Sequence, residues 1–419
     1  MNDEQLSEIF KSEYSNLIAV LSNYYGVSDL QLAEDIVSDT FVKALKTWSH
    51  KGIPEYPKAW LRKVAQNQLV EYHRRKQVFD EKITPELGAD SDEGAPIEIT
   101  DKIIEDSQLH MIFVLCDPEL NNESQLCIAL RILCGFNIEE IAKALLSNKE
   151  AINKKLYRAK KVIKERGQIN TSLTPQEYTQ RLDNVLRVIY LLFNEGYYSS
   201  AQEVNIRHDI CWEAMRLAIF LSRQTLFPRQ KVFALIALMS FHASRLEARS
   251  SGENGDLLYD EQDRNKWNQD LITKGQQYLQ SASNGDIISK YHLEATIAYW
   301  HTHESEGKWE RILQLYNKLL TIEYSPVIAM NRTYALAMAN SVDEAITEAL
   351  KLDLKTDHHY LCLLAELYRI NEDADQEIAY LNKALKLAGK ENEKQLIQRK
   401  LARAFGKFES DLTDFKKTN

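Results

Sequence analysis

Apolar residues along this chain return at helical spacing, and no strand-like alternation persists anywhere. Val37, Phe41, Ala44 and Trp48 fall at i, i+4, i+7 and i+11, the apolar stripe of an amphipathic helix. Its opposite face carries Asp35, Ser38, Asp39, Lys43 and Lys46. Glycine and proline, the residues that end helices, number only 14 and 8 among 419 residues. The expected fold class is therefore all-α. At this length, two to four domains are expected.

Two basic helices stand out against a net charge of −9. The first is predicted over 60–76 (WLRKVAQNQLVEYHRRK) and the second over 149–166 (KEAINKKLYRAKKVIKER). Local positive faces on an acidic protein point to targeted contact with phosphate. Pro57 is a favourable start for the first helix, after a predicted loop over 49–57 (SHKGIPEYP). Leu61, Val64, Ala65, Leu69 and Tyr72 are expected to line its core face, leaving Arg62, Lys63, Gln66, Asn67, His73 and Arg74 outward. Between 78 and 108, ten acidic residues face only Lys82 and Lys102, with Pro85, Gly88, Gly94 and Pro96 interspersed, which predicts a flexible acidic linker.

Ile138, Ile141, Ala142 and Leu145 open a short helix, and Ser147-Asn148 caps the next, whose Ile152, Leu156, Ala159 and Ile163 face inward. This is a helix-turn-helix pattern. Asn148, Lys149, Asn153, Lys154 and Arg158 suit base edges, while Lys155, Lys160, Lys161 and Lys164 suit phosphates. Further on, a period of 33 residues aligns Ile312, Ala345 and Ile378, and likewise Leu319, Leu352 and Leu385. Helix pairs at about this period are the tetratricopeptide (TPR) signature, though its usual Trp-Leu-Gly-Tyr set is mostly absent. Such arrays bind other proteins.

Other constellations lead to no assignment. His301, His303 and Glu304 (HTHE) lack a partner cluster and read as a solvated helix end. Glu195 and the run 260–263 lack a nucleophile or phosphate loop, and Asn194, Glu195 and Gly196 are expected to shape a helix-end turn. No catalytic residue, metal or cofactor is expected. Five scattered cysteines predict buried apolar residues, not a disulfide framework. No stretch approaches the ~20 apolar residues of a membrane span, and the start lacks a secretory layout, so a cytoplasmic location is expected.

Together, AEDIVSDTFVKALKTW and PKAWLRKVAQNQLVEYHRRK resemble region 2 of bacterial sigma factors of the extracytoplasmic-function (ECF) group. ALRILCGFNIEEIAKALLSNKEAINKKLYRAKKVIKERG resembles their region 4, and RLDNVLRVIYLLFNEGYYSS resembles the subgroup with a long C-terminal TPR-like extension. The resemblance implies region 2 over 1–77, a linker over 78–108, region 4 over 109–168, a helical extension over 169–286 and TPR-like repeats over 287–419. It implies a subunit that binds core RNA polymerase through Asp35, Ser38, Asp39 and Phe41, where many relatives have Gln in place of Ser38. Trp60, Arg62, Lys63, Asn67, His73, Arg74 and Arg75 would read and melt the −10 element, next to a loop that captures a flipped base. Region 4 would read duplex −35 DNA. The TPR-like surface would take a protein partner and regulate the chain in cis. The competing reading is a stand-alone helix-turn-helix regulator with a ligand- or protein-sensing helical domain. It gives the 41–48 helix and the Trp60 segment no role.

Overall fold

The computed structural model describes residues 3–24, 30–83, 99–166, 173–198, 204–250, 259–389 and 391–418, and among these every regular element is a helix. Two compact units divide the chain at Pro228. The first contains α1 (Asp3–Tyr24), α2 (Leu30–Lys51), α3 (Pro57–Ile83), α4 (Asp101–Leu115), α5 (Asn122–Ile128), α6 (Ile138–Ala144), α7 (Lys149–Arg166), α8 (Pro175–Tyr198) and α9 (Val204–Ser222). A π-helical turn, Ala129–Leu133, continues α5.

The predicted stripe of α2 is observed: Val37, Ala44 and Trp48 are buried, and Phe41 stacks on Phe10 with centroids 4.8 Å apart. In α3, Leu61, Ala65 and Leu69 are fully buried. Gln66, expected outward, is buried instead, because it shares the inner face with Leu69. The stretch read as a linker is helical at both ends. The helix α3 runs on to Ile83, and α4 begins at Asp101, where the Thr100 hydroxyl caps the Ile103 amide. Residues 84–98 lie outside the described residues.

Three features weld the first unit. Leu17, Ile18 and Leu21 of α1 are fully buried, and α1 packs against α4, whose Met111 and Ile112 are also buried. Gly135, at φ +70°, brings the turn after the π-helix against α1: an added Cβ would lie 2.6 Å from the Lys11 carbonyl oxygen. Only glycine meets both demands. Beside it, the Lys11 ammonium sits 3.7 Å from the Phe136 ring centroid. The third feature is ionic. Glu34 of α2, 4% exposed, pairs with Arg131 at 2.7 Å and with Lys160 of α7, and accepts a 2.5 Å hydrogen bond from the Tyr14 hydroxyl. Burial raises the Glu34 pKa, but Lys160 and Arg131 more than offset it, and the carboxyl ends below its ordinary range. Burial and the Glu34 charge push the Tyr14 phenol up, so it remains a donor.

The next segment belongs to the same body. Phe113 of α4 meets Tyr178 of α8 edge-on at 4.8 Å and Phe227 at 5.7 Å. Asn184 donates to the Cys116 carbonyl, and Arg187 donates to Gln125 Oε1 at 2.7 Å. Arg216 of α9 reaches the Leu133 carbonyl at 2.9 Å. Asn194, Glu195 and Gly196, expected to shape a helix-end turn, are helical and lie near the end of α8, where Phe193 and Tyr197 stack.

The second unit opens with α10 (Gln230–Ala243), α11 (Leu246–Ser250), α12 (Gln269–Ala282) and α13 (Lys290–Thr302). Gly275 lets α10 and α12 approach closely, since a Cβ there would come within 2.7 Å of the Phe241 ring. Then follow α14 (Lys308–Ile322), α15 (Pro326–Ala339), α16 (Val342–Leu352), α17 (His358–Ile370), α18 (Ala374–Leu387) and α19 (Glu391–Thr418), with consecutive helices packed on each other. Ile312, Ala345 and Ile378 take corresponding places in α14, α16 and α18, and all three belong to the shared core or pack against it.

Because α8 and Phe227 cover Phe113, stopping the chain at Gln168 should leave a large apolar face bare. Each uncovered large side chain costs ~1.5–3 kcal/mol, so a few consume the stability of a domain. Urea unfolding should be cooperative for residues 1–228 and weak or absent for 1–168; equal midpoints would contradict this packing. Glu34, held below its ordinary pKa, contributes stability present above about 4.5 and lost as pH falls through its folded value. The urea-unfolding gap between wild type and Glu34→Gln should therefore narrow on acidification below that pH, and a gap constant from neutral to pH of about 3 would exclude the linkage.

Candidate nucleic-acid interface

The loop before α3 is shorter than expected, because α2 continues to Lys51 and ends where Gly52 turns left-handed at φ +79°. Ile53 and Tyr56 are exposed there, Tyr56 at 69%, in the loop that leads to Trp60. Trp60 is half-buried, its ring edge-on to Trp48 at 5.4 Å, so part of its surface stays accessible. Lys63, Asn67, His73, Arg74 and Arg75 are exposed. Lys63, Asn67, Val70 and Arg74 fall on one stripe of α3, where Val70 is 53% exposed. Arg75 pairs with Glu71 one turn back.

Arg62 is not free for phosphate. Its guanidinium is bound by the fully buried Glu13 at 3.1 Å and by Asp101 at 2.9 Å, only a fifth of its side chain being exposed. Burial lowers its pKa, and Glu13 and Asp101 outweigh that. In this structure it clasps α3 to α1 and α4. Glu13, unremarked in the sequence, is an acid on the buried face of α1.

On α2, Asp35, Ser38 and Asp39 are exposed and Phe41 is half-buried. Asp35 accepts a 3.0 Å hydrogen bond from Gln31. In α6, Asn137 and Glu140 form a reciprocal capping box, which fixes the entry of the short helix. The turn to α7 passes through Leu146 at φ +47°, while the Ser147 amide returns to the Ala142 carbonyl at 2.9 Å. That is a Schellman ending with leucine where glycine is usual, a strained choice on an exposed residue.

The basic helix α7 buries Ile152, Leu156, Ala159 and Ile163 as the periodicity predicts. Asn153, Lys154 and Arg158 are exposed. Asn148 caps the helix as the sequence predicts, its Oδ1 accepting the Ala151 amide at 2.8 Å. Lys149 pairs with Glu139 at 3.1 Å and Lys155 with Glu123 at 2.9 Å, so both are engaged within the protein. Lys160, expected on phosphate, is largely buried against Glu34. Gln31, Glu34, Asp35 and Ser38 of α2 and Asn153, Leu156, Tyr157 and Lys160 of α7 line one cavity of about 360 Å³. Glu34 itself was legible as an acid in an apolar stripe, following Leu30 and preceding Val37 and Phe41 at helical spacing.

Elsewhere, His301 is packed between Tyr259 and Trp309, not solvated, and burial lowers its pKa to about 4. His303 contacts Gln276, and Glu304 pairs with Arg264, so the HTHE residues do not converge on a metal. Among the described residues, ligand atoms of His358, His359 and Glu393 lie within 4.8 Å of each other. The two histidines sit on the first turn of α17, where peptide dipoles disfavour a cation. Cys116, Cys127, Cys134 and Cys211 are buried, Cys362 is half-buried, and all five are free. No described helix is long and apolar enough to cross a membrane.

Residues 9–78 match sigma-70 region 2, and residues 181–283 match a family of unknown function, DUF6596. The uncharacterized protein R00370 of Rhizobium meliloti is 31% identical over 326 residues, covering 76% of each chain. The ECF RNA polymerase sigma factor BldN of Streptomyces coelicolor is 31% identical over 140 residues, 32% of this chain and 51% of BldN. The ECF RNA polymerase sigma factor SigX of Bacillus subtilis is 19% identical over 165 residues, 39% of this chain and 84% of SigX. With the region 2 fold, its exposed basic stripe and these relatives in place, the chain belongs to one family with the uncharacterized Rhizobium meliloti protein, and its N-terminal part carries a sigma-70 region 2 similar to that of ECF sigma factors.

Proposed function

We propose that this protein is an ECF-type sigma factor that binds core RNA polymerase, directs promoter-specific initiation and is regulated in cis by its C-terminal helices. The observation that carries the reading is the exposed basic stripe of α3, following an exposed aromatic loop inside the matched region 2. Tyr56 and the accessible part of Trp60 offer stacking surfaces to unpaired −10 bases, and Lys63, Arg74 and Arg75 supply charge for the strand. Asp35, Ser38 and Asp39 form the polymerase-binding face. In this reading α6 and α7 are the helix-turn-helix of region 4, and Asn153, Lys154 and Arg158 enter the −35 major groove. A major groove about 12 Å wide admits one helix and presents base edges to such side chains.

The extension is an integral support in this proposal. The contacts of Asn184, Arg187 and Arg216 on region 4 favour a C-terminal segment required for a productive sigma module. The stacked helices after residue 286, TPR-like in period, supply a surface for a protein partner. Both the protein and its action are placed in the cytoplasm.

Purified protein with core polymerase should yield specific transcripts from a cognate promoter, with poor binding to duplex DNA alone. Tight, specific binding without polymerase and no transcript with it would favour a stand-alone regulator. Asn153→Ala or Arg158→Ala should weaken −35 recognition by about 1–3 kcal/mol, read as a loss of discrimination between cognate and mutated elements. Equal loss on both would reduce these residues to phosphate contacts. Trp60→Ala should keep closed complexes and lose permanganate reactivity at −10, whereas unchanged melting would leave Trp60 a packing residue only.

A further inference from the structure

We infer that the chain binds one divalent metal ion of the zinc class between the first turns of α17 and α19, through His358, His359 and Glu393. The site lies within the second unit and is independent of the sigma-factor reading.

The ligand atoms of the three side chains lie within 4.8 Å of each other, two imidazoles from adjacent positions of α17 and one carboxylate from α19. His358 Nε2 is shut off from solvent and makes no hydrogen bond, although Glu393 Oε2 stands 3.4 Å away. A buried imidazole nitrogen left without a hydrogen bond is costly and calls for an occupant. The separation suits one, since atoms about 2.0–2.1 Å from a tetrahedral ion stand about 3.3–3.4 Å from each other. His359 is exposed, and its ring centroid is 3.9 Å from that of His358. Two imidazoles on one ion stand about 5 Å apart by the same geometry, so the His359 ring turns outward as the ion enters.

The donor set selects the ion. Two nitrogens and one carboxylate oxygen match zinc, with water in the remaining place. Calcium and magnesium prefer all-oxygen shells, and copper(I) prefers sulfur. The dipole of α17 opposes a cation at its first turn with about half a unit of charge, but Glu393 brings a full negative charge that outweighs it. Asp357 adds a second carboxylate at that turn. Its Oδ1 accepts the His359 amide at 2.8 Å, which fixes the backbone carrying both histidines.

The role of the ion is structural. The helix α19 packs mainly on α18, burying Ile397, Leu401 and Ala404. Its ion pairs with Glu366 of α17 are long, 3.9 Å from Lys400 and 4.0 Å from Arg403. A metal bridge pins the first turn of α19 onto α17 and so closes the end of the array.

The test uses the full chain without an affinity tag, stripped with a chelator and titrated with Zn²⁺ by calorimetry. Wild type should bind one equivalent, and its Tm should rise with free Zn²⁺, because a ligand of the folded state stabilises it by mass action. His358→Ala and Glu393→Gln should each lower the affinity at least about tenfold and abolish the rise in Tm, since losing even an outer partner of a ligand costs about 10–100-fold. His303→Gln, outside the cluster, should bind as wild type does. Circular dichroism identifies folded variants, and either of the two site variants decides the matter. No stoichiometric binding by wild type, or wild-type affinity in a folded site variant, overturns the site.

Discussion

A single buried carboxylate organises the first unit. Glu34 is nearly without solvent, and a charge so placed persists only with partners that supply what water would have supplied. It draws Arg131 from the π-helical turn, Lys160 from α7 and Tyr14 from α1 to one point. Arg131 also lies over the Tyr14 ring at 4.5 Å, so cation, anion and phenol form one closed cluster. Breaking such a cluster from one side costs about 3–5 kcal/mol, because the remaining charge is left buried. Four segments distant in sequence therefore depend on each other's presence.

Around that ionic centre, apolar contact decides what moves together. The helix α4 is buried almost all round, which means that it has neighbours on every side: α1 on one, α8 on another. Its position explains why α8 and α9, which follow residue 168, are continuous with the helices before them. Tyr178 and Phe227 complete the shell of Phe113, and Arg187 satisfies polar groups at the start of α5. The helix α8 packs on α5 and α9 on α6, the same two helices that carry α7.

Much of this was legible in the chain itself. The buried stripes of α2, α3 and α7, the start of α3 at Pro57, the cap at Asn148 and the 33-residue recurrence all follow from local periodicity and capping chemistry. Local rules could not reveal which polar side chains would find partners across the fold. Arg62 and Lys160 look identical in sequence to Lys63 and Lys154, yet the first two face carboxylates on other helices and the second two face solvent. Gln66 differs from these, since it is buried by sharing the inner face of α3 with Leu69.

By itself the sequence determined an all-helical chain, the order of its helices and the two basic faces, because 3.6-residue periodicity, caps and charge runs act within a few turns. Only the tertiary structure decided that Glu34 is a buried anchor, that Arg62, Lys149, Lys155 and Lys160 pair with carboxylates of the same chain, and that α2 and α7 face one another. The physical reason is that a charged side chain is long and its partner can lie anywhere in the chain. Whether it meets phosphate, water or a buried carboxylate is settled by packing among distant segments, and apolar spacing along one helix carries no record of that.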